Sequence, residues 1–519
     1  MHFPTPLSLL LLGAGALALP ASPQAPLSVP HAPKDAQVLV LGGGMAGITA
    51  ARALHAAGVT DVVVVEAGAE LGGRMQSHRF GARGREYTVE LGANWVQGTR
   101  RGDGPENPVW TLAKKHGLKT QKSKYFDGLT TYNESGQVDF RHHVKASSKN
   151  FDRLVASAGM RVPEGLVDAS ARTGYSLTGS HPHTAEEMAA EYYQFDWEFT
   201  TSPEESSWLA CAWNNNHTFD TFSEVNLMSL DGRGFKTLVQ AEAAAFLKPS
   251  QIRLNSVVTR IKYDAHGVEV TLADDTTLTA EYVICTFSLG VLQHGDVEFE
   301  PALPSWKVEA IHSMTMGEYT KIFLQFPENF WFPTETALFA SRTRGRYPVW
   351  QSLDHAHFLP GSGILFGTVT GAFARRIAAL PRAQVLQEVL DTLRTMFPGR
   401  AIPPPDAFFY KPWGADPRFR GAYATWPPGF VAEHHVNLRA DVGAWGVAGA
   451  DAQGRGQEAG RVWFAGEAGS LRYFGYLHGA YFEGADIGAR VAQCVLRRGD
   501  CRGLEHVEVV RNVRPYGGV

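Results

Sequence analysis

The chain has 519 residues, 44% of them hydrophobic and 19% charged, with 29 Phe, 16 Tyr and 12 Trp. That apolar content offsets the entropy of ordering a chain and excludes wholesale disorder, and the length predicts the core of two to four domains or of one large fold interrupted by a second. Lys and Arg number 48 against 52 Asp and Glu, a net charge of −4 with no long basic run, so nucleic acid is not expected as a partner.

Met1–Pro6 lead into the apolar stretch Leu7–Leu19, followed by Pro20-Ala21-Ser22-Pro23. The stretch is shorter than the roughly 20 residues of a membrane span and suits the hydrophobic part of a signal peptide, although a basic start is missing. Residues 1–21 therefore read as a signal peptide, with a buried or disordered N-terminal arm as the alternative. Secretion to the extracellular space or cell wall is expected, with no membrane span. Two glycosylation sequons, Asn133-Glu134-Ser135 and Asn216-His217-Thr218, agree with it. Four cysteines do not make a disulfide scaffold or a zinc motif. Cys494 and Cys501 are spaced to close a small loop if oxidised, Cys285 reads as core, and Cys211 is open.

Residues 22–36, with four prolines, form a linker. Gln37–Leu41 reads as a buried strand, Met45–Ala57 as an Ala-rich helix and Asp61–Glu66 as a second strand, together a parallel βαβ unit. From about Arg100 to Glu224 the chain turns helical and charged, with loop segments such as Thr173–Thr184. Strands are predicted at Val257–Tyr263, Val268–Leu272, Tyr282–Thr286, Tyr319–Phe326 and Arg461–Ala465, and helices at Gln384–Met396 and Gly479–Leu496. The predicted fold is α/β (α+β overall): a discontinuous Rossmann-like FAD-binding domain (37–99, 225–305 and 420–500) and an inserted mixed α+β substrate-binding domain (100–224 and 306–419), with a tail at 501–519. No internal repeat is evident.

Gly42-Gly43-Gly44-Met45-Ala46-Gly47 fits G-x-G-x-x-G between a strand and a helix. There Gly42 permits a tight turn, Gly44 admits a pyrophosphate and Gly47 allows close helix packing, while the helix N-terminus offers N–H donors. Glu66 ends the next strand, where a carboxylate accepts hydrogen bonds from ribose hydroxyls. The continuation Gly72-Gly73-Arg74 adds donors and a cation near the diphosphate and favours FAD over NAD.

These motifs, with Glu90-Leu91-Gly92-Ala93-Asn94-Trp95 and Trp463-Phe464-Ala465-Gly466-Glu467, resemble the flavin-containing amine oxidases, most of all the secreted plant-type polyamine oxidases. The resemblance runs from about Gln37 to Gln493. It implies that Arg74 serves the FAD diphosphate, the backbone at Val258 the adenine, the Gly92-Ala93-Asn94-Trp95 loop the isoalloxazine, and Glu467 the ribityl or diphosphate end. It also implies that Lys321, in Tyr319-Thr320-Lys321-Ile322-Phe323, faces the flavin through a water, on a strand whose alternate residues are apolar. Tyr423 and Tyr476 match the two walls of an aromatic cage that desolvates an amine. The related monoamine oxidases carry a flavin-linking cysteine where this chain has Ala422, so FAD is expected to be noncovalent.

Residues 186–205 hold seven carboxylates, five aromatics and no Lys or Arg. Such a stretch reads as a negative approach for a polycation, with a solvated amphipathic helix as the alternative. Glu198 and Tyr319 are the candidate substrate contacts there and on the lysine strand. At Gln97 the resembling oxidases commonly carry Glu or His, and an amide supplies no charge for a second ammonium. The expected reaction passes an amine α-hydrogen to the flavin as hydride and reduces O2 to H2O2, releasing an aldehyde and an amine, with no metal. An L-amino-acid or monoamine oxidase of the same fold is the alternative, although the Arg of amino-acid oxidases is replaced by Trp95. A non-catalytic FAD-binding protein is the alternative from another class.

Overall fold

The computed structural model describes residues 34–126, 128–161, 164–443, 460–499, 501 and 504. The expected signal peptide and most of the linker and C-terminal tail lie outside them. From Lys34 onward the described chain forms one compact unit.

Two large sheets organise it. In the first, Ala36–Leu41 is parallel to Val62–Val65 on one side and to Thr277–Cys285 on the other. Val462–Phe464 also runs parallel to Thr277–Cys285. The antiparallel strands Gly267–Leu272 and Val258–Asp264 extend the sheet. Alternation explains the continuous apolar run of the first strand. Val38 and Val40 enter a core shared with the helices Met45–Ala56 and Leu477–Leu496. Leu39 and Leu41 enter the opposite core, with Ile261 and Val270. A parallel strand covered on both faces has no polar side to show.

The second sheet runs Ala407–Tyr410, Tyr319–Gln325, Ile364–Thr370, Val349–Ser352, Thr336–Ala340, Leu129–Asn133, Gly136–Gln137. The helix Arg382–Met396 covers it through Val385, Val389, Leu393 and Met396, a spacing that places all four on one helical face. A small third sheet sets Asn226–Ser229 between Trp95–Gln97 and Thr120–Lys122.

Three sequence expectations change. The segment expected as loop from Thr173 contains the helix Ala171–Leu177, started by the Ser170 hydroxyl accepting from Thr173 N–H and anchored by buried Ala171 and Tyr175. Its Thr and Ser content hid it. The lysine strand is buried along Thr320–Gln325 on both faces rather than on alternate residues, because Ile322 and Leu324 pack into the core under the helix Arg382–Met396 while Phe323 packs into a second core with Phe80 and Trp413. The strand expected from Tyr282 begins at Thr277, where the polar alternation Thr277–Glu281 pairs with Gly267–Leu272.

The helices Met45–Ala56 and Leu477–Leu496 cross at small residues. A Cβ on Gly488 would stand 2.5 Å from the carbonyl oxygen of Ala50, backbone that cannot yield. Gly488→Val is expected to destabilise the chain by about 3 kcal/mol through overpacking, read as a lowered urea midpoint with an unchanged m-value.

Candidate active site

One continuous cavity begins at the glycine turn and ends among aromatic side chains between the two large sheets. Gly42 adopts φ +112°, and a Cβ on Gly47 would lie 1.9 Å from Gly42 O. The turn and the close helix approach are thus both closed to larger residues. Gly44 caps the helix without a side-chain acceptor, so the first-turn N–H groups open onto a cavity lined by Gly42, Gly44, Met45 and Ala46. Gly47 packs behind this wall. Glu66 is 9% exposed; its Oε2 accepts from Gly43 N–H and its Oε1 from Gly68 N–H, both at 2.6 Å. Each oxygen keeps a lone pair for a further donor.

Arg74 extends the cradle. Its Nη1 donates to Glu467 Oε1 at 2.7 Å and to Ala422 O at 3.0 Å. Glu467 also accepts from Ala424 N–H at 3.2 Å and Gly475 N–H at 2.7 Å. Val258, Gly92, Ala93, Asn94 and Trp95 line the same cavity.

Lys321 lies at the junction, fully surrounded. Its Nζ donates to Gly92 O at 2.7 Å, Asn94 Oδ1 at 2.8 Å and Glu90 O at 3.2 Å. These bonds use all three ammonium protons, and the amine is anchored directly to the Gly92–Asn94 loop. Burial pushes its pKa down to about 7, opposed by the charge of Glu90. Loss of one proton leaves one of these three acceptors without its donor.

Beyond the lysine stand Tyr319, Tyr423 and Tyr476. Tyr423 Oη donates to the backbone carbonyl of Glu198 at 2.8 Å, and Tyr476 Oη donates to the Glu198 carboxylate. The rings of Tyr319 and Tyr423 lie 6.0 Å apart. Burial pushes the phenols of all three upward, so they remain protonated donors. Burial also pushes the Glu198 carboxyl upward, opposed by the bond from Tyr476.

The rest of the acidic stretch is not a free negative approach. Arg172 pairs with Glu191 and Glu204, and Arg344 with Asp196 at 2.6 Å and Glu191 at 3.0 Å. Glu186 accepts from Asn133, and Glu187 closes a capping box. The neutralising arginines lie outside the stretch, and Glu198 is its one carboxylate that lines the cavity, between Trp197 and Phe199.

Gln97 also lines the cavity, opposite Asn226 in the third sheet. Asn133 and Asn216 lie outside it. Among the wall residues that had escaped the sequence reading are Tyr125 and Asn226. Tyr125 packs edge-on against Trp95 at 5.6 Å and Trp197 at 5.4 Å. Asn226 donates to Tyr125 Oη at 2.7 Å, while its own Oδ1 is buried without a partner among the described residues. Nothing in their local sequence marks them; only the pairing of Gln97 with Asn226 brings them in.

A glycine cradle with an acidic ribose acceptor, running into a buried aromatic cavity beside a lysine, defines a flavoprotein oxidoreductase. Residues 45–496 match the family model of flavin containing amine oxidoreductases, and the chain belongs to that family. It is 34% identical to polyamine oxidase 1 of Zea mays over 514 residues, 94% of this chain and 96% of that protein. In fold it is similar to cyclohexylamine oxidase from Brevibacterium oxydans, with a TM-score of 0.65 and 20% identity over 89% of this chain and 100% of that one. A triple mutant of putrescine oxidase gives a TM-score of 0.66 at 17% identity, covering 89% and 99%. The cofactor is FAD, and the residues present fit it: side-chain-free turn, open helix N–H groups and a half-satisfied Glu66. Ala422 offers no nucleophile for a covalent link.

Glu66→Ala would leave Gly43 and Gly68 N–H without their acceptor and remove the ribose partner. FAD is expected to bind roughly 10- to 100-fold more weakly, measured as flavin released on dialysis.

Proposed function

We propose that this enzyme oxidises polyamines and is secreted. Glu198 carries the substrate reading: it is the one carboxylate of the acidic stretch that lines the cavity, its side chain held by Tyr476 and its backbone carbonyl by Tyr423. A cationic amine neutralises that charge while the aromatic faces displace its water. The similarity to polyamine oxidase 1 of Zea mays supports the same reading.

Bound flavin supplies the acceptor for the α-hydride and returns the electrons to O2, giving H2O2 and, after hydrolysis of the imine, an aldehyde. Tyr423 and Tyr476 hold the amine between their faces and exclude water. Lys321 Nζ holds or releases a proton beside the Gly92–Asn94 loop. Gln97 and the free Asn226 Oδ1 form a neutral amide pair that accepts an N–H from the far part of the substrate without demanding a second full charge.

Anaerobic bleaching of the flavin band by spermidine, spermine, N-acetylspermine, benzylamine and L-leucine tests this. Rapid bleaching confined to the polyamines supports the reading; benzylamine or leucine reacting instead overturns the substrate while leaving the fold intact. Glu198→Gln should raise KM for polyamines about 10- to 100-fold, the scale of one charge-assisted bond.

Below pH 7 Lys321 is an ammonium with all three protons donated; above it the free amine prevails. A step that needs the free amine therefore rises through about pH 7 and levels off above it. In Lys321→Met that limb should vanish from the pH profile, with the rate about 100-fold lower.

Secretion is supported by the apolar Leu7–Leu19 segment and by the disulfide between Cys494 and Cys501, a bond suited to oxidising compartments. Of the two sequons, Asn133 sits at a hairpin tip, whereas Thr218 of the other is fully buried. Expression in a secreting eukaryotic host should give medium-borne enzyme whose gel mobility shifts on glycosidase treatment, and Asn133→Gln should abolish most of that shift.

A further inference from the structure

We propose that Glu335, His355 and His357 form a binding site for one divalent transition-metal ion of the zinc class, separate from the flavin cavity. Glu335 immediately precedes the strand Thr336–Ala340, and the two histidines lie in the turn after Val349–Ser352. The hairpin register sets Thr336 opposite Gln351, and Ser352 N–H donates to Glu335 O at 2.9 Å. The end of the hairpin therefore brings the carboxylate under the His355-Ala356-His357 turn. One ligand atom from each of the three residues lies within 4.8 Å of the others.

The carboxylate gives the cluster its direction. Glu335 is 4% exposed, and its Oε2 accepts from Ser123 Oγ at 2.9 Å and Lys124 N–H at 2.7 Å. Its Oε1 faces His357 Nδ1 at 3.9 Å. No Lys or Arg pairs with it among the described residues, so a buried carboxylate has two imidazoles as its neighbours instead of a fixed cation. Buried charges persist when paired or when they coordinate a metal. Bonds of about 2.0–2.2 Å in a tetrahedral site place ligand atoms roughly 3.3 Å apart. The side chain of His357 is 56% exposed and reaches that spacing by rotation. Two imidazoles and one carboxylate, with water in the fourth position, suit Zn2+ better than Mg2+ or Ca2+, which prefer oxygen alone.

None of the three residues lines the cavity, yet Ser123 and Lys124 lead directly into Tyr125, which does. An ion on Glu335 would tie the hairpin end to the segment that carries this wall residue.

The test is titration of chelator-treated holoenzyme, without a histidine tag, by ZnCl2 in a calorimeter. One ion per chain with micromolar affinity is expected. The His355→Ala/His357→Ala variant changes two side chains in an outer turn and should keep its flavin spectrum while losing on the order of 100-fold or more in affinity. Glu335→Gln, which retains an acceptor for Ser123 and Lys124, should weaken binding as well. Anomalous diffraction at the zinc edge should place the ion among the three side chains. No saturable binding to the wild type, a loss below about 10-fold in the double variant, or an anomalous peak elsewhere would overturn the proposal.

Discussion

The carboxylate of Glu467 is the constraint on which the reaction chamber depends. It gathers the Arg74 guanidinium, the N–H of Ala424 and the N–H of Gly475. The latter two are the backbone neighbours of Tyr423 and Tyr476, so one side chain fixes the separation of the two cage walls. Arg74 adds a bond to Ala422 O and connects the cage to the glycine cradle. The pair is part-buried and satisfied on both sides, the condition under which an ion pair positions groups rather than strains them.

A second constraint lies across the chamber. Lys321, with its amine on Gly92 and Asn94, joins the second sheet to the loop that follows the cradle. Its desolvation is offset by three good acceptors, so the amine is held in place even though its charge is poorly tolerated. Glu198 is the mirror case, a carboxyl raised by burial and steadied by a phenol. An acid and a base whose affinities for a proton are drawn toward neutrality thus stand in one enclosed space.

The cradle was legible in the sequence because its demands are local: a strand, a turn closed to side chains, a helix and an acidic residue at the next strand end. The resemblance supplied Lys321, Tyr423, Tyr476 and Glu467, which composition alone would have assigned to core or surface. What stayed hidden depends on pairing between distant segments. Arg172 and Arg344 neutralise Glu191, Asp196 and Glu204 of the acidic stretch from sites outside it, and Asn226 and Tyr125 enter the wall only through the third sheet. Glu335 meets His355 and His357 because a hairpin folds back, whereas a search for ligand spacing along the chain passes over it.

The crossing of Met45–Ala56 with Leu477–Leu496 has a consequence for biogenesis. The helix that begins the cradle cannot bury its face until a segment more than 400 residues later has been synthesised, and Val462–Phe464 must still join the sheet beside Thr277–Cys285. A nascent chain emerging N-terminus first therefore carries an open nucleotide site for almost the whole of translation. The site is complete only once these C-terminal segments are in place, which makes the folding compartment, and its supply of the dinucleotide, the place where active enzyme is decided.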